Sequence, residues 1–286
     1  MIQRLRGSLP LLALVAVVPA YGQTAYAVTT DNRLVSFDVM NPTTLLTNVN
    51  LSGMQANELT LGIDFRPATG ELYAMGSSNR LYKVNTMTGA STAVGGAFST
   101  ALNGVEFGFD FNPTVDRIRV TSDSGQNLRL NPDTGAVVAV DGTLNFAGSD
   151  PNAGKTPNIV ASAYTNNFAG ATSTVLYNFD SNLDILTTQI PPNAGTQNTV
   201  GSLGMDISSL AGFDIFGVDS AYASVVRNGD FRSWFMTVNL ATGMTTPVGP
   251  IGGTALLVRD IAVVPEPASM LAFGGLALLA LRKRRK

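Results

Sequence analysis

Short runs of alternating apolar and polar residues recur along the middle of the chain, and each ends at a polar residue and a turn. One run, Leu81-Tyr82-Lys83-Val84-Asn85, continues into Thr86-Met87-Thr88-Gly89; another, Leu128-Arg129-Leu130-Asn131, continues into Pro132-Asp133-Thr134-Gly135. Related runs are Leu34-Val35-Ser36-Phe37-Asp38, Leu176-Tyr177-Asn178-Phe179-Asp180 and Phe235-Met236-Thr237-Val238-Asn239. A period of two is that of a strand, and an Asn or Asp followed by Gly fits a tight turn, because the side-chain oxygen bonds the backbone and Gly supplies positive φ. The closing polar residue falls at 38, 85, 131, 180 and 239, in steps of 47, 46, 49 and 59, so five copies of one unit are expected.

A second motif precedes the first in each period. Its copies are Leu61-Gly62-Ile63-Asp64-Phe65, Phe107-Gly108-Phe109-Asp110-Phe111, Val160-Ala161-Ser162-Ala163-Tyr164, Leu203-Gly204-Met205-Asp206-Ile207 and Leu257-Val258-Arg259-Asp260-Ile261. Further strand-like pieces lie between and after the two motifs, such as 71–75, 117–121, 90–94 and 136–140, which makes four short strands per period. Four-stranded units of about 45 residues are the signature of β-propeller blades. The copy at 257–263 has only the first strand of a unit, whereas the stretch from Ala25 onward has only the later ones. The expected fold is therefore all-β: a five-bladed β-propeller closed by a C-terminal strand that completes the N-terminal blade. Closure of this kind removes the open sheet edge that would template aggregation. A sandwich or solenoid of the same strands is the competing architecture, but a solenoid needs caps and these two ends are complementary.

Composition agrees and removes several chemistries. Hydrophobic residues make up 45% and charged residues 13%, with 29 Gly and 14 Pro, as in a turn-rich β protein. There is no Cys and no His, which excludes disulfides, thiol chemistry, the usual zinc ligand sets and His-based acid–base or nucleophilic triads. Residues 23–264 hold 11 basic against 19 acidic residues, a net charge of −8, so no nucleic-acid partner is expected.

The two ends read as processing segments. Arg4 and Arg6 precede an apolar stretch, 9–20, and Ala20-Tyr21-Gly22 supplies small residues for signal-peptidase cleavage before Gln23. At the other end Val264-Pro265-Glu266-Pro267 is followed by an apolar run, 270–281, and by Arg282-Lys283-Arg284-Arg285-Lys286. Prolines end the last strand, the apolar run inserts transiently in the membrane, and the basic cluster stays on the cytoplasmic side. The expected organisation is a signal peptide over 1–22, the propeller over 23–263 and a sorting tail over 264–286, the ring being flanked by a signal-peptide helix and a C-terminal hydrophobic helix.

The motif, apolar span and basic end of residues 264–286 resemble the PEP-CTERM sorting signal. That resemblance implies an exosortase partner that cleaves the tail, membrane anchoring before cleavage, and delivery to the cell envelope or extracellular matrix of a Gram-negative bacterium that makes extracellular polysaccharide. The body, in turn, resembles the DUF4394 family at Phe111-Asn112-Pro113, Asp116-Arg117-Ile118-Arg119-Val120 and Gly125-Gln126-Asn127 through Gly135. Ala163 to Asn167 and Gly201 to Gly204 fit the same pattern, so the likeness covers roughly 25–225. That family has no assigned function and lends no catalytic residues.

Candidate chemistry is sparse. Asp64, Asp110, Asp206 and Asp260 recur at the second motif, where alternate residues would line a propeller channel. They could form a ring of oxygen ligands for Ca²⁺, or each carboxylate could accept backbone N–H groups that join neighbouring blades. Ala163 in the third copy, and repetition from blade to blade, favour the architectural role; no cofactor is otherwise expected. Paired carboxylates could in principle serve a glycosidase. Arg117, Arg119 and Arg129 could grip a carboxylated sugar, or pair with Asp116, Asp123 or Asp133 on a solvated face. Trp234 with Phe231 and Phe235 could stack on a sugar, or pack between blades.

The expected function is that of an exported, non-enzymatic envelope or matrix protein whose propeller binds extracellular polysaccharide or another matrix component. A secreted glycan-active enzyme and a calcium-stabilised structural protein are the alternatives.

Overall fold

The computed structural model describes residues 22–265, and these form one closed ring of strands. The first blade contains β1 (Thr24–Thr29), β2 (Arg33–Asp38) and β3 (Asn41–Asn50). The second contains β4 (Thr60–Phe65), β5 (Leu72–Gly76), β6 (Arg80–Val84) and β7 (Ser91–Val94). The third contains β8 (Phe107–Asn112), β9 (Arg117–Ser122), β10 (Asn127–Leu130) and β11 (Val137–Val140). In the fourth blade, β13 (Ile159–Tyr164), β14 (Leu176–Asp180), β15 (Ile185–Gln189) and β16 (Thr196–Ser202) are joined at the outer edge by the two-residue β12 (Asn145–Phe146), which pairs parallel to β16. The fifth contains β17 (Ile207–Phe216), β18 (Ser220–Arg227), β19 (Ser233–Val238) and β20 (Thr245–Pro250). The last strand, β21 (Val258–Val263), returns to the first blade and pairs antiparallel with β1, from Ala25 opposite Val263 to Val28 opposite Asp260. The expected five-bladed ring with shared closure is thus the fold.

The repeat turns follow the chemistry read from the sequence. The backbone N–H groups of Gly89, Gly135 and Gly243 donate to the carbonyls of Asn85, Asn131 and Asn239 at 2.8, 2.9 and 2.8 Å. The side-chain oxygens of those asparagines accept from Met87, Asp133 and Ala241. Each of these glycines sits at positive φ, between 68° and 82°, where a Cβ would be strained.

The innermost strand of each blade is β4, β8, β13, β17 or β21, and each of the five packs against the next around the axis. Four of the five interfaces between blades are apolar, and each is bridged by an aromatic pair. Tyr26 meets Phe65 between blades 1 and 2, and Tyr73 meets Phe111 between blades 2 and 3. Phe179 stacks on Phe213 between blades 4 and 5, and Phe37 meets Phe235 between blades 5 and 1. Such pairs contribute about 0.5–1.5 kcal/mol beyond the area they bury. The interface between blades 3 and 4 is built differently, as described below.

One strand assignment needs correction. The motif Leu203-Gly204-Met205-Asp206-Ile207 is not the inner strand of blade 5: it is the connection between β16 and β17, with Gly204 at φ 79°. The inner strand carries its own copy, Gly212-Phe213-Asp214-Ile215-Phe216, beyond an irregularity in its pairing between Ile207 and Ala211. The helices expected at the two termini fall almost entirely outside the described residues. Among the described residues no helix is long and apolar enough to cross a membrane.

Candidate functional site

The inner strands place carboxylates around the axis through a Gly-x-Asp pattern. In β4 and β8 the glycine lets the neighbouring strand approach: a Cβ on Gly62 would lie 2.5 Å from the Phe109 Cβ, and one on Gly108 would lie 2.2 Å from the Ser162 Oγ. Two residues on, the aspartate reaches the same neighbour. Asp64 accepts the Phe111 N–H at 2.7 Å, Asp110 accepts that of Tyr164 at 3.0 Å, and Asp214 accepts that of Val263 at 2.5 Å. Asp64 and Asp214 also accept the N–H of the residue that follows each, at 2.6 Å. These carboxylates therefore join blade 2 to 3, 3 to 4 and 5 to 1, which is the architectural role read from the repeat.

Hydrogen-bond register corrects two of the expected ring members. Asp214 takes the place assigned to Asp206; Asp206 is exposed and bonds Asn228 instead. Asp260 donates no side chain to the layer of the other three. It accepts the Ile63 N–H at 2.8 Å, two residues before the N–H that follows Asp64, so it occupies the level of Gly62 and Gly212. A Cβ on Gly62 would lie 3.3 Å from the Asp260 Oδ2, so this carboxylate fills space the glycines leave. The layer of Asp64, Asp110 and Asp214 is completed by Ala163 and Ala262, both buried.

The electrostatics of the layer are unusual. Asp64, Asp110 and Asp214 are each 1% exposed, and one oxygen from each lies within 4.8 Å of the others. Burial, followed by the charges of neighbouring carboxylates, holds Asp64 and Asp110 well above the ordinary carboxyl range. Burial pushes Asp214 up to about 6 against the N–H bonds from Val263 and Ile215, and it raises Asp260 well above the ordinary range too. Among the described residues no Lys or Arg pairs with any of the four. The single arginine of the inner strands, Arg259, is engaged by Glu106 at 2.8 Å, a bridge between non-adjacent blades 1 and 3.

Among the described residues, the interface between blades 3 and 4 is carried by a polar network. Thr121 meets Ser162 at 2.7 Å, and Ser162 donates to Asn178 at 2.6 Å. Asn178 donates to Gln189 and Gln197 at 3.1 and 2.9 Å, and Thr187 donates to Gln197 at 2.7 Å. Beside them Arg119, only 2% exposed, donates to Asn127, Asp141, Asn193 and the Tyr164 hydroxyl. Where this interface reaches the surface there is a cleft of about 330 Å³ lined by side chains of both blades, among them Asn112, Thr114, Tyr164, Ser173 and Gln189. A larger depression, about 580 Å³, lies along the Asn239–Met244 turn of blade 5 and spans no blade interface.

The remaining predicted residues are placed as follows. Arg117 donates to the Asp116 carbonyl, while Arg119 and Arg129 converge on Asp141 rather than on Asp116, Asp123 or Asp133. Asp116 and Asp133 pair with Arg66, whereas Asp123 accepts the Val105 and Glu106 N–H groups. Trp234 is half-buried, with the Arg227 and Arg232 guanidinium groups 4.7 and 5.9 Å from its ring centre, and its Nε1 donates to Asp230. That leaves little free ring for a sugar, and Phe235 is fully buried while Phe231 is exposed. Val264 is held against β1: its N–H donates to the Thr24 carbonyl and its carbonyl accepts from the Gln23 side chain. Pro265 follows directly and is buried; Glu266, Pro267 and the basic residues 282–286 lie outside the described residues.

Sequence reasoning missed Asp214, Asn178, Gln189 and Gln197. For Asp214 the signal was present as a third Gly-x-Asp, but the nearby Leu203-Gly204-Met205-Asp206 mimicked it. For the polar network the signal was ambiguous, since polar residues at every second position read as a solvent face.

A closed five-bladed propeller with axial carboxylates and an acidic body defines the class of this protein. The chain belongs to the family described as Domain of unknown function (DUF4394), which matches residues 33–262. Residues 263–286 match the PEP-CTERM protein-sorting motif, which marks an exported protein that is anchored in the membrane before exosortase processing. No curated protein matches the chain. Among solved structures, the chain is similar to Kuenenia stuttgartiensis hydrazine synthase at 11% identity and TM-score 0.39, over 72% of this chain and 53% of that one. It is also similar to a chain of a nidogen/laminin complex at 12% identity and TM-score 0.45, over 85% of this chain and 98% of that one. The chain spans about half the length of the hydrazine synthase chain it matches, and neither likeness bears on function.

Proposed function

We propose that this protein serves, after export, in the cell envelope or extracellular matrix by binding neutral polysaccharide in the cleft between blades 3 and 4. The observation that carries the reading is the lining of that cleft: the exposed hydroxyls of Thr114, Thr172 and Ser173 and the half-buried amide of Asn112, with no charged side chain. Groups of this kind exchange hydrogen bonds with sugar hydroxyls, and a cleft of about 330 Å³ is within the usual range for small-ligand sites. The enzymatic alternative is less well supported, because the axial carboxylates are buried and tied to backbone N–H groups, whereas a glycosidase pair must flank its substrate.

Processing fits the same picture. Cleavage before Gln23 removes 1–22 without loss to the ring, since Gln23 is the residue whose carbonyl accepts the Val39 N–H at 2.9 Å. The body then spans 23–263 and the sorting tail 264–286.

The test is a panel of bacterial extracellular polysaccharides presented to the full chain and to its Ser173→Trp variant. Ser173 is exposed, so the bulky ring fills the cleft at a stability change within about 0.5 kcal/mol. Retention of a neutral polymer by the parent and its loss in the variant is the expected result. Binding that survives Ser173→Trp, or no retention of any polymer, removes the assignment.

A further inference from the structure

We infer that the propeller channel binds one divalent cation with the coordination chemistry of Ca²⁺, held by Asp64, Asp110 and Asp214 with the side-chain carbonyl of Asn167 as a fourth oxygen. Spacing comes first. Ca²⁺ takes oxygen ligands at about 2.3–2.6 Å, so two ligands on one ion lie no more than about 5 Å apart. One oxygen from each of the three carboxylates falls within 4.8 Å of the other two.

The backbone bonds do not exhaust these groups. Each carboxylate offers about four lone-pair sites, whereas Asp64 and Asp214 each accept two backbone N–H groups and Asp110 accepts one. Nor does joining blades require an aspartate in this layer. Between blades 4 and 5 the corresponding residue is Ala163, and the ring closes there on an apolar cluster and on hydrogen bonds made outside this layer, such as Ile207 N–H to Asp184 at 3.0 Å. Three carboxylates gathered at one level, with no arginine or lysine to neutralise them, therefore exceed what architecture needs. Ala163 and Ala262, the other two residues of the layer, leave its remaining sides open to an ion.

Asn167 is the independent observation. It follows β13, is 3% exposed, donates its backbone N–H to the Gly217 carbonyl at 3.3 Å, three residues beyond Asp214, and its side-chain amide favours the charged form of Asp214. Its side-chain carbonyl oxygen is fully buried and has no hydrogen-bond partner. Leaving such an acceptor unpaired costs about 1–3 kcal/mol, and a hard cation at the adjacent carboxylates supplies the missing partner. An all-oxygen set without His or Cys selects Ca²⁺ or Mg²⁺ over zinc or copper. Three carboxylates favour a divalent ion over a monovalent one. This inference is independent of the polysaccharide reading, which concerns a different interface.

The experiment uses the full chain in mild detergent, stripped with chelator and refolded with or without Ca²⁺ so that the ion has access before the ring closes. Elemental analysis is expected to find one calcium per chain after dialysis, and the Tm is expected to rise saturably with Ca²⁺. Asp110→Asn keeps an oxygen for the Tyr164 N–H but removes a charged ligand, and Asn167→Ala removes the neutral one. Each is expected to weaken Ca²⁺ binding by about tenfold or more. A parent chain that retains no calcium and melts at the same temperature with Ca²⁺, Mg²⁺ or chelator overturns the site. So does an Asp110→Asn or Asn167→Ala chain whose Ca²⁺ response equals that of the parent. If Asp110→Asn fails to fold in the absence of metal, Asn167→Ala and the calcium content of the parent still decide.

Discussion

Blade 4 faces two neighbours with two different chemistries, and adjacent residues of one strand divide them. In β14, Asn178 points to blade 3 and joins the network of Ser162, Gln189 and Gln197, while Phe179 points to blade 5 and stacks on Phe213 at 4.5 Å. On the blade 5 side the interior of the interface is non-directional: Val160, Leu186, Ile215 and Met236 fill it, and shape is its main requirement. On the blade 3 side every buried donor and acceptor must find its partner, because an unpaired group in a dry interior costs more than a paired one contributes. Both interfaces close the same ring, yet they fail in opposite ways. The apolar one yields gradually as volume is lost, whereas the polar one yields at once when a single partner is removed.

Substitutions can test that contrast directly. The largest effect is expected at Arg119, whose guanidinium serves Asn127, Asp141, Asn193 and Tyr164 together. Arg119→Met keeps much of the volume but leaves those four groups short of a donor, and urea unfolding should show a loss of about 3–5 kcal/mol. Next comes Asn178→Leu, which strips the glutamine pair and Ser162 of partners and is expected to cost about 2–3 kcal/mol. Its neighbour in sequence, Phe179→Leu, is an apolar exchange in the other interface and should cost less than about 1.5 kcal/mol. Equal losses at 178 and 179 would abolish the distinction.

Acid provides the smallest and most selective probe. Burial raises the Asp141 carboxyl, but hydrogen bonds from Arg129 and Arg119 outweigh burial and hold it below its ordinary value of 3.8. A carboxyl depressed on folding contributes stability above its unfolded pKa, and that contribution is lost as pH falls through the folded one. Unfolding measured from pH 5 downward should therefore show the parent losing stability below about pH 4 relative to Asp141→Asn. Phe179→Leu, which removes no ionisable group, should follow the parent across the same range. An Asp141→Asn chain with an unchanged acid limb would show that the arginines do not depend on that charge.

Much of the ring could be read from residues alone, because its repeat is local. Turn chemistry at Asn85, Asn131 and Asn239 depends on neighbours within five positions, and so does strand alternation, so the period survived inspection of one chain. Complementary ends disclosed the closure of blade 1. What could not be read depends on depth and register. Asp206 and Asp214 carry the same local pattern, and only strand pairing decides which faces the axis. Asp260 carries the pattern as well, yet it sits one pleat away because β21 is displaced by two residues. Asn178, Gln189 and Gln197 are strand residues with polar side chains, and alternation alone assigns such positions to water. Their burial becomes visible only when blade 3 covers them.

The clasp between β1 and β21 makes closure of the ring depend on both ends of the body at once. Hydrogen bonding runs from Ala25 opposite Val263 without a spacer before Pro265, so the ring stays incomplete until nearly the whole chain has emerged. Until then blade 1 presents a bare strand edge. The last contacts, between residues some 240 positions apart, carry the largest loop-closure cost in the molecule and form late. Completion of the ring thus waits for the strand that directly precedes the sorting motif.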